Sequence, residues 1–201
     1  RHLRANYPTL MFDTLAFEID EKGNPYWIAP VYNYKIGLFG GKDITGAVLV
    51  NAINGDHEYY DIDKVPEWVD RAYPAELVLS QLENYGKYTN GYFNTLFSQK
   101  GVLQPTSGYN YVAINDDVYL YTGLTSVSND ASNVGFAMIN LRTKDGKYYN
   151  ISGAEEYSAM SSAEGQVQNL KYTATFPILI NAGGQPTYFL SLKDDAKLVK
   201  K

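Results

Sequence analysis

Apolar and polar positions alternate or fall in short blocks along most of the chain, with turn residues between them. Leu15–Asp20, Pro25–Tyr32 and Gly46–Ile53 are β-branched and aromatic runs, which predicts strands. Asp20 to Asn24 supplies a turn between the first two, with Gly23 available for a positive φ. Asn54-Gly55 is a strong hairpin signal, so Gly46 to Ile62 reads as one hairpin. The period then changes. Trp68, Val69, Ala72 and Tyr73 recur at helical spacing, with Pro66 suited to a first helical position and Asp63 to a cap. Pro74 interrupts, so the spacing predicts a short helix, a kink and a second helix over Ala75–Tyr85. Tyr85–Lys100 reads as a packed connection with a short helix at Tyr92–Phe97.

The second half repeats this order. Residues 111–115 and 118–124 are predicted strands, and 128–133 lie in a polar loop. Residues 135–141 turn through Thr143 to Gly146 into 147–151. Ser152-Gly153-Ala154-Glu155 has the spacing of a capping box, predicting a helix from about Gly153 to Gln168.

Laid together, the halves echo each other. NAINGDHEYYDI at Asn51–Ile62 returns as NLRTKDGKYYNI at Asn140–Ile151, 89 positions later. At the same offset Gly46 meets Gly135, and Trp68 meets Tyr157. A third, partial copy relates Ile19–Trp27 to Ile180–Tyr188 through an Asx residue, Gly-x-Pro and an aromatic. The expected fold is α+β: two tandem units, 1–87 and 88–201, each an antiparallel sheet covered by a helix, with a partial third repeat at the C-terminus.

Composition narrows function more by exclusion. The chain has 201 residues and a net charge of -5, with no basic cluster, which argues against nucleic-acid binding. It holds 19 Tyr, suited to strands whose rings pack while hydroxyls reach water. It has no Cys, which rules out thiol chemistry and leaves the compartment open. No apolar run is long enough to span a membrane. The sequence opens on Arg-His, so a targeting or anchor segment is expected to lie outside it.

GNPYWIAPV followed by VLVNAINGDHEYY resembles the PepSY-type pattern, in which a strand with Gly-x-Pro-aromatic precedes a hairpin reading apolar-x-apolar-Asp. Here Asn51 stands where that Asp usually is. GLFGGKD, KVPEWVD and SGAEEYSAMSSAEG look similar to a group of membrane-anchored bacterial envelope proteins with tandem domains. The resemblance implies an extracytoplasmic, non-catalytic domain associated with inhibiting or regulating peptidases, and assigns no catalytic residue.

GLFGGKDIT fails as a phosphate loop, because Ile36 falls where the first Gly is needed and Asp43 where Ser or Thr is needed. Leu38 and Phe39 in that loop remain a candidate contact point for a partner. His2 and His57 lack companions at metal-ligand spacing, so no metal site is expected, and no cofactor is implied. Residues 128–133 lack the spacing and Glu of a calcium loop. Asp116-Asp117, Glu155-Glu156 and Asp194-Asp195 are adjacent pairs whose side chains point apart.

Tyr59-Tyr60 and Tyr148-Tyr149 are the strongest binding candidates. One ring of each pair should face the helix, and the other should face outward as a platform for peptide or glycan. Cross-strand packing is the weightier explanation of the outward ring. The functional expectation is a non-catalytic binding or regulatory module of a bacterial cell-envelope protein, engaging a peptide or another envelope protein by a sheet edge or aromatic face. The alternatives are a carboxylate-dependent hydrolase of cell-wall glycan or peptide, and a structural spacer.

Overall fold

The structure, a computed structural model, describes residues 2–37, 40–89, 101–127, 132–151, 153–194 and 199–200. The fold is α+β, with mostly antiparallel sheets and few helices. The chain forms two compact units. The first holds Arg1–Ser80, Ala113–Tyr119 and Ile139–Asp145; the second holds Gln81–Val112, Leu120–Met138 and Gly146–Lys201. The division is therefore not one cut in the sequence.

A short helix α1 (His2–Asn6) leads into β1 (Met11–Phe12) and β2 (Ala16–Ile19). Both pair with successive parts of the long β3 (Pro25–Ile36), which pairs with β4 (Gly40–Asn51) and through it with β5 (His57–Asp61). Register sorts the faces, since alternate residues point to opposite sides. One face carries Trp27, Ala29 and Val31 beside Val48 and Val50, with Tyr59 opposite Val48. The N-terminal segment covers part of that face: Leu3, Tyr7, Leu10 and Phe12 pack on Ala29, Val31 and Val48. His2 and His57 clasp the segment in place. His2 Nε2 is 3.0 Å from the Gly55 carbonyl oxygen, and Tyr7 Oη shares a 3.0 Å hydrogen bond with His57 Nδ1. The opposite face carries Tyr26, Ile28, Leu49, Ala47, Glu58 and Tyr60.

The helix expected from Pro66 does not form. Glu18 on β2 accepts the backbone N–H groups of Asp70 (2.9 Å) and Arg71 (3.1 Å), donors that a helix there would turn toward its own carbonyls. Only a 3-10 turn at Ile62–Lys64 precedes α2, which runs Ala75–Tyr88. The short helix expected at 92–97 lies outside the described residues.

The second sheet is built in a similar order. β6 (Leu103–Pro105) and β7 (Asn110–Ile114) both pair with β8 (Asp117–Ser126). β9 (Ser132–Asn140) lies beside β8 and carries β10 (Gly146–Tyr149) and β11 (Gly153–Ala154) on its other side. The predicted start of the following helix is corrected here. Gly153 and Ala154 pair with Asn133 and Ser132 as strand, and α3 runs Glu156–Gln166. Glu155 is itself the cap, its carboxylate accepting the N–H groups of Tyr157 and Ser158. β12 (Thr173–Ala174), the hairpin β13–β14 (Ile178–Ala182, Gln185–Phe189), β15 (Leu192–Lys193) and β16 (Val199–Lys200) complete the chain.

The two echoed segments fold into hairpins with the same hydrogen bonds. Asn51 Oδ1 accepts the N–H of Ile53 and Asn54, and Asn140 Oδ1 accepts those of Arg142 and Thr143. The backbone closes identically: Asn51 with Asp56 and Gly55, Asn140 with Asp145 and Lys144. Gly55 and Lys144 hold the same left-handed position, at φ 80 and 67. In each hairpin a tyrosine lies over a glycine of the neighbouring strand, Tyr59 over Gly46 and Tyr148 over Gly135.

Candidate functional site

In the first unit, residues 62–69 follow β5, and their Pro66 and Trp68 meet the face that carries Tyr26 and Tyr60. The Trp68 ring meets Tyr26 at 5.0 Å between centroids, tilted by 44°. A cleft of about 290 Å³ opens there, lined by Tyr26, Tyr60 and Trp68 together with Asp20, Asp56 and Glu58. Its polar groups are set by local bonds. Tyr60 Oη donates to Glu58 Oε2 at 2.5 Å; that carboxylate, and then burial, push the Tyr60 phenol up to about 12. Asn54 donates to Asp56 Oδ2 at 2.6 Å. The Asn24 side chain, aided by the Asn24 and Lys22 N–H groups, holds Asp20 below the usual carboxylate range. Chemically, the cleft offers flat aromatic walls and carboxylate acceptors.

Elsewhere in this unit the charges are structural. Arg142 grips Asp117 through Nε and Nη2 at 2.8 and 3.0 Å, and Asn140 donates to the same carboxylate. Lys144 pairs with Asp43 at 2.7 Å. Burial raises the Glu18 carboxyl against the lowering effect of the Asp70 N–H and Arg71.

The second unit holds a smaller cavity, about 200 Å³, lined by Asn133, Phe136, Leu179, Pro186 and Tyr188 among others. Beside Asn133 sits Glu156, fully buried. Asn133 Nδ2 donates to Glu156 Oε1 at 2.8 Å and Thr106 Oγ1 donates to Oε2 at 3.2 Å. Burial outweighs these donors and raises the Glu156 carboxyl above its ordinary value. Gly123 makes the space, since a Cβ there would fall on the Glu156 carboxylate. Burial, then the charge of Glu156, push the Tyr121 phenol far above its ordinary range. Tyr188 Oη accepts from Asn133 and donates to the Ala154 carbonyl at 2.7 Å. The network ties β9, β11, α3 and β14 together.

No family model, curated protein or solved structure matches the chain.

Among the tyrosines singled out from sequence, Tyr60 lines the cleft. Tyr59 and Tyr148 lie over their glycines, and Tyr148 Oη donates to the Val134 carbonyl at 3.2 Å. Tyr149 stacks on Phe136, with centroids 4.7 Å apart and planes 13° from parallel. Leu38 and Phe39 lie outside the described residues. Sequence reasoning missed Tyr26 and Trp68 as cleft walls. No signal in the sequence joins them to Tyr60, since Tyr26 reaches that face through the register of β3, β4 and β5. It also took Glu155 as the notable member of its pair, whereas Glu156 is the buried one. Among the described residues, no group of three His, Asp or Glu is placed to hold a metal, and no helix is long and apolar enough to cross a membrane.

Proposed function

We propose that this chain is a non-catalytic binding or regulatory module of a bacterial cell-envelope protein, lying outside the cytoplasm and taking a peptide segment of a partner protein in the first unit's cleft. The carrying observation is the convergence of Tyr26, Tyr60 and Trp68 with Asp56 and Glu58 on one sheet face. Rigid aromatic surface with a few fixed acceptors suits recognition of a side chain. The two hairpins with matched hydrogen bonds support a further reading, that the fold is two tandem sheet-plus-helix units with a partial third. The resemblance to PepSY-type domains supports the envelope setting and an anchored parent protein.

A peptide array drawn from envelope-protein sequences, probed with the wild type and with Trp68→Phe and Glu58→Gln variants shown by circular dichroism to fold, tests the reading. Spots bound by the wild type and weakened in both variants are expected. An array left blank, or bound equally by all three proteins, would overturn it.

The carboxylates in an aromatic cleft also favour a second reading, hydrolysis of cell-wall glycan or peptide. Release of soluble products from purified cell wall by the wild type, abolished in Glu58→Gln, would replace binding with catalysis.

A further inference from the structure

We infer that the group this cleft selects is an alkylammonium, as a lysine side chain of a bound peptide presents. The inference rests on the peptide-binding reading above and names its ligand chemistry. Three observations converge. First, the Tyr26 and Trp68 rings, 5.0 Å apart and tilted, form an aromatic corner, and Tyr60 supplies a third ring. Ring faces attract cations, and Trp does so best. Second, the rim is anionic. Glu58 Oε2 accepts from the Tyr60 hydroxyl and Asp56 Oδ2 accepts from the Asn54 amide, which leaves Oε1 and Oδ1 without a protein hydrogen bond among the described residues. Neither carboxylate is in an ion pair among the described residues, whereas Asp13, Asp43, Asp61, Glu18 and Asp117 all are. The Lys22 charge acts on Asp20, a third carboxylate that lines the cleft. Third, about 290 Å³ sits at the lower edge of the roughly 300–1,000 Å³ usual for small-ligand sites, which suits one side chain rather than a run of sugar rings.

The cleft comes with an optical reporter. The chain has two Trp; Trp68 lines the cleft, while Trp27 stands on the other sheet face against Phe17. A Trp27→Phe protein therefore reports Trp68 alone. It would be titrated with an N-acetyl-Gly-Lys-Gly amide peptide, the same N-acetylated peptide with acetylated lysine, an N-acetyl-Gly-Glu-Gly amide peptide, and n-butylammonium. A saturable fluorescence change with the lysine peptide is expected, weakening as salt is raised. Acetylation of the lysine, or Glu58→Gln in the protein, should weaken binding roughly tenfold, equivalent to about 1.4 kcal/mol. Saturation by n-butylammonium as well would show that the ammonium alone is recognised. Equal binding of the acetylated or the Glu peptide overturns the inference and leaves the peptide reading standing. A response confined to n-butylammonium overturns the lysine source. Silence to every probe, with a blank array, overturns both.

Discussion

Glu156 is a buried carboxyl packed against Gly123 and bonded by Asn133 and Thr106, with no cation among its hydrogen-bond partners among the described residues. Its folded-state pKa lies above the ordinary 4.5. The unfolded chain therefore releases that proton first as pH rises, and the native state binds more protons between 4.5 and the raised value. Stability from this group is fully present below that window and declines as pH rises through it. Glu156→Gln keeps the shape and one of the two acceptor oxygens, leaves the Thr106 hydroxyl able to turn and accept from the new NH2, and removes the ionisation. It should unfold at higher denaturant concentration than the wild type at neutral pH, and the two should converge below about pH 4.5. A variant that is less stable at every pH would show that the carboxylate's hydrogen bonds outweigh its burial. Gly123→Ala has no such compensation and should cost about 1–3 kcal/mol in urea denaturation, because the new methyl displaces a buried carboxylate.

At the scale of elements, the repeated hairpin makes a contrast testable. Both hairpins rest on an Asn whose Oδ1 receives two backbone N–H groups. Asp supplies the same acceptor, so Asn51→Asp should change stability by less than about 0.5 kcal/mol. Asn140 also donates to Asp117 at 2.9 Å and is buried. Asn140→Asp sets two carboxylates together and should cost about 1–3 kcal/mol by thermal melting, beyond what Arg142 can offset. The hairpins were legible in the sequence because Asn-Gly and Asp-Gly act locally, and so was α2, predicted at Ala75–Tyr85 and found at Ala75–Tyr88. The absent helix at Pro66 was not legible. The group that captures the Asp70 and Arg71 N–H donors is Glu18, more than fifty residues away. The start of α3 was misplaced for a related reason, since Gly153 and Ala154 are drawn into strand by β9.

Across the molecule, what was legible was the class of fold and the echo between its halves. The cleft was not, because Tyr26, Glu58 and Trp68 meet only through strand register and the return of residues 62–69. The N-terminal helix α1 also escaped prediction: five residues are too few to show a period, and its partners lie on β3 and β4. Removing residues 1–10 should uncover Ala29, Val31 and Val48, lower stability by about 3 kcal/mol and raise binding of a hydrophobic dye. An unchanged melting temperature would show that the clasp of His2, Tyr7 and His57 contributes little.

The tyrosine laid over glycine carries a consequence for how such chains vary. A Cβ at Gly46 would fall on the Tyr60 carbonyl oxygen and the Tyr59 ring, and one at Gly135 on the Tyr149 carbonyl oxygen and the Tyr148 ring. Neither partner is free to drift alone: Gly46→Ala drives a methyl into the ring, and Tyr59→Ala strips cover from a bare backbone. The double variant should then cost less than the sum of the two, by about 1 kcal/mol in a double-mutant cycle. The two positions, thirteen residues apart in each hairpin, therefore act as one unit of packing.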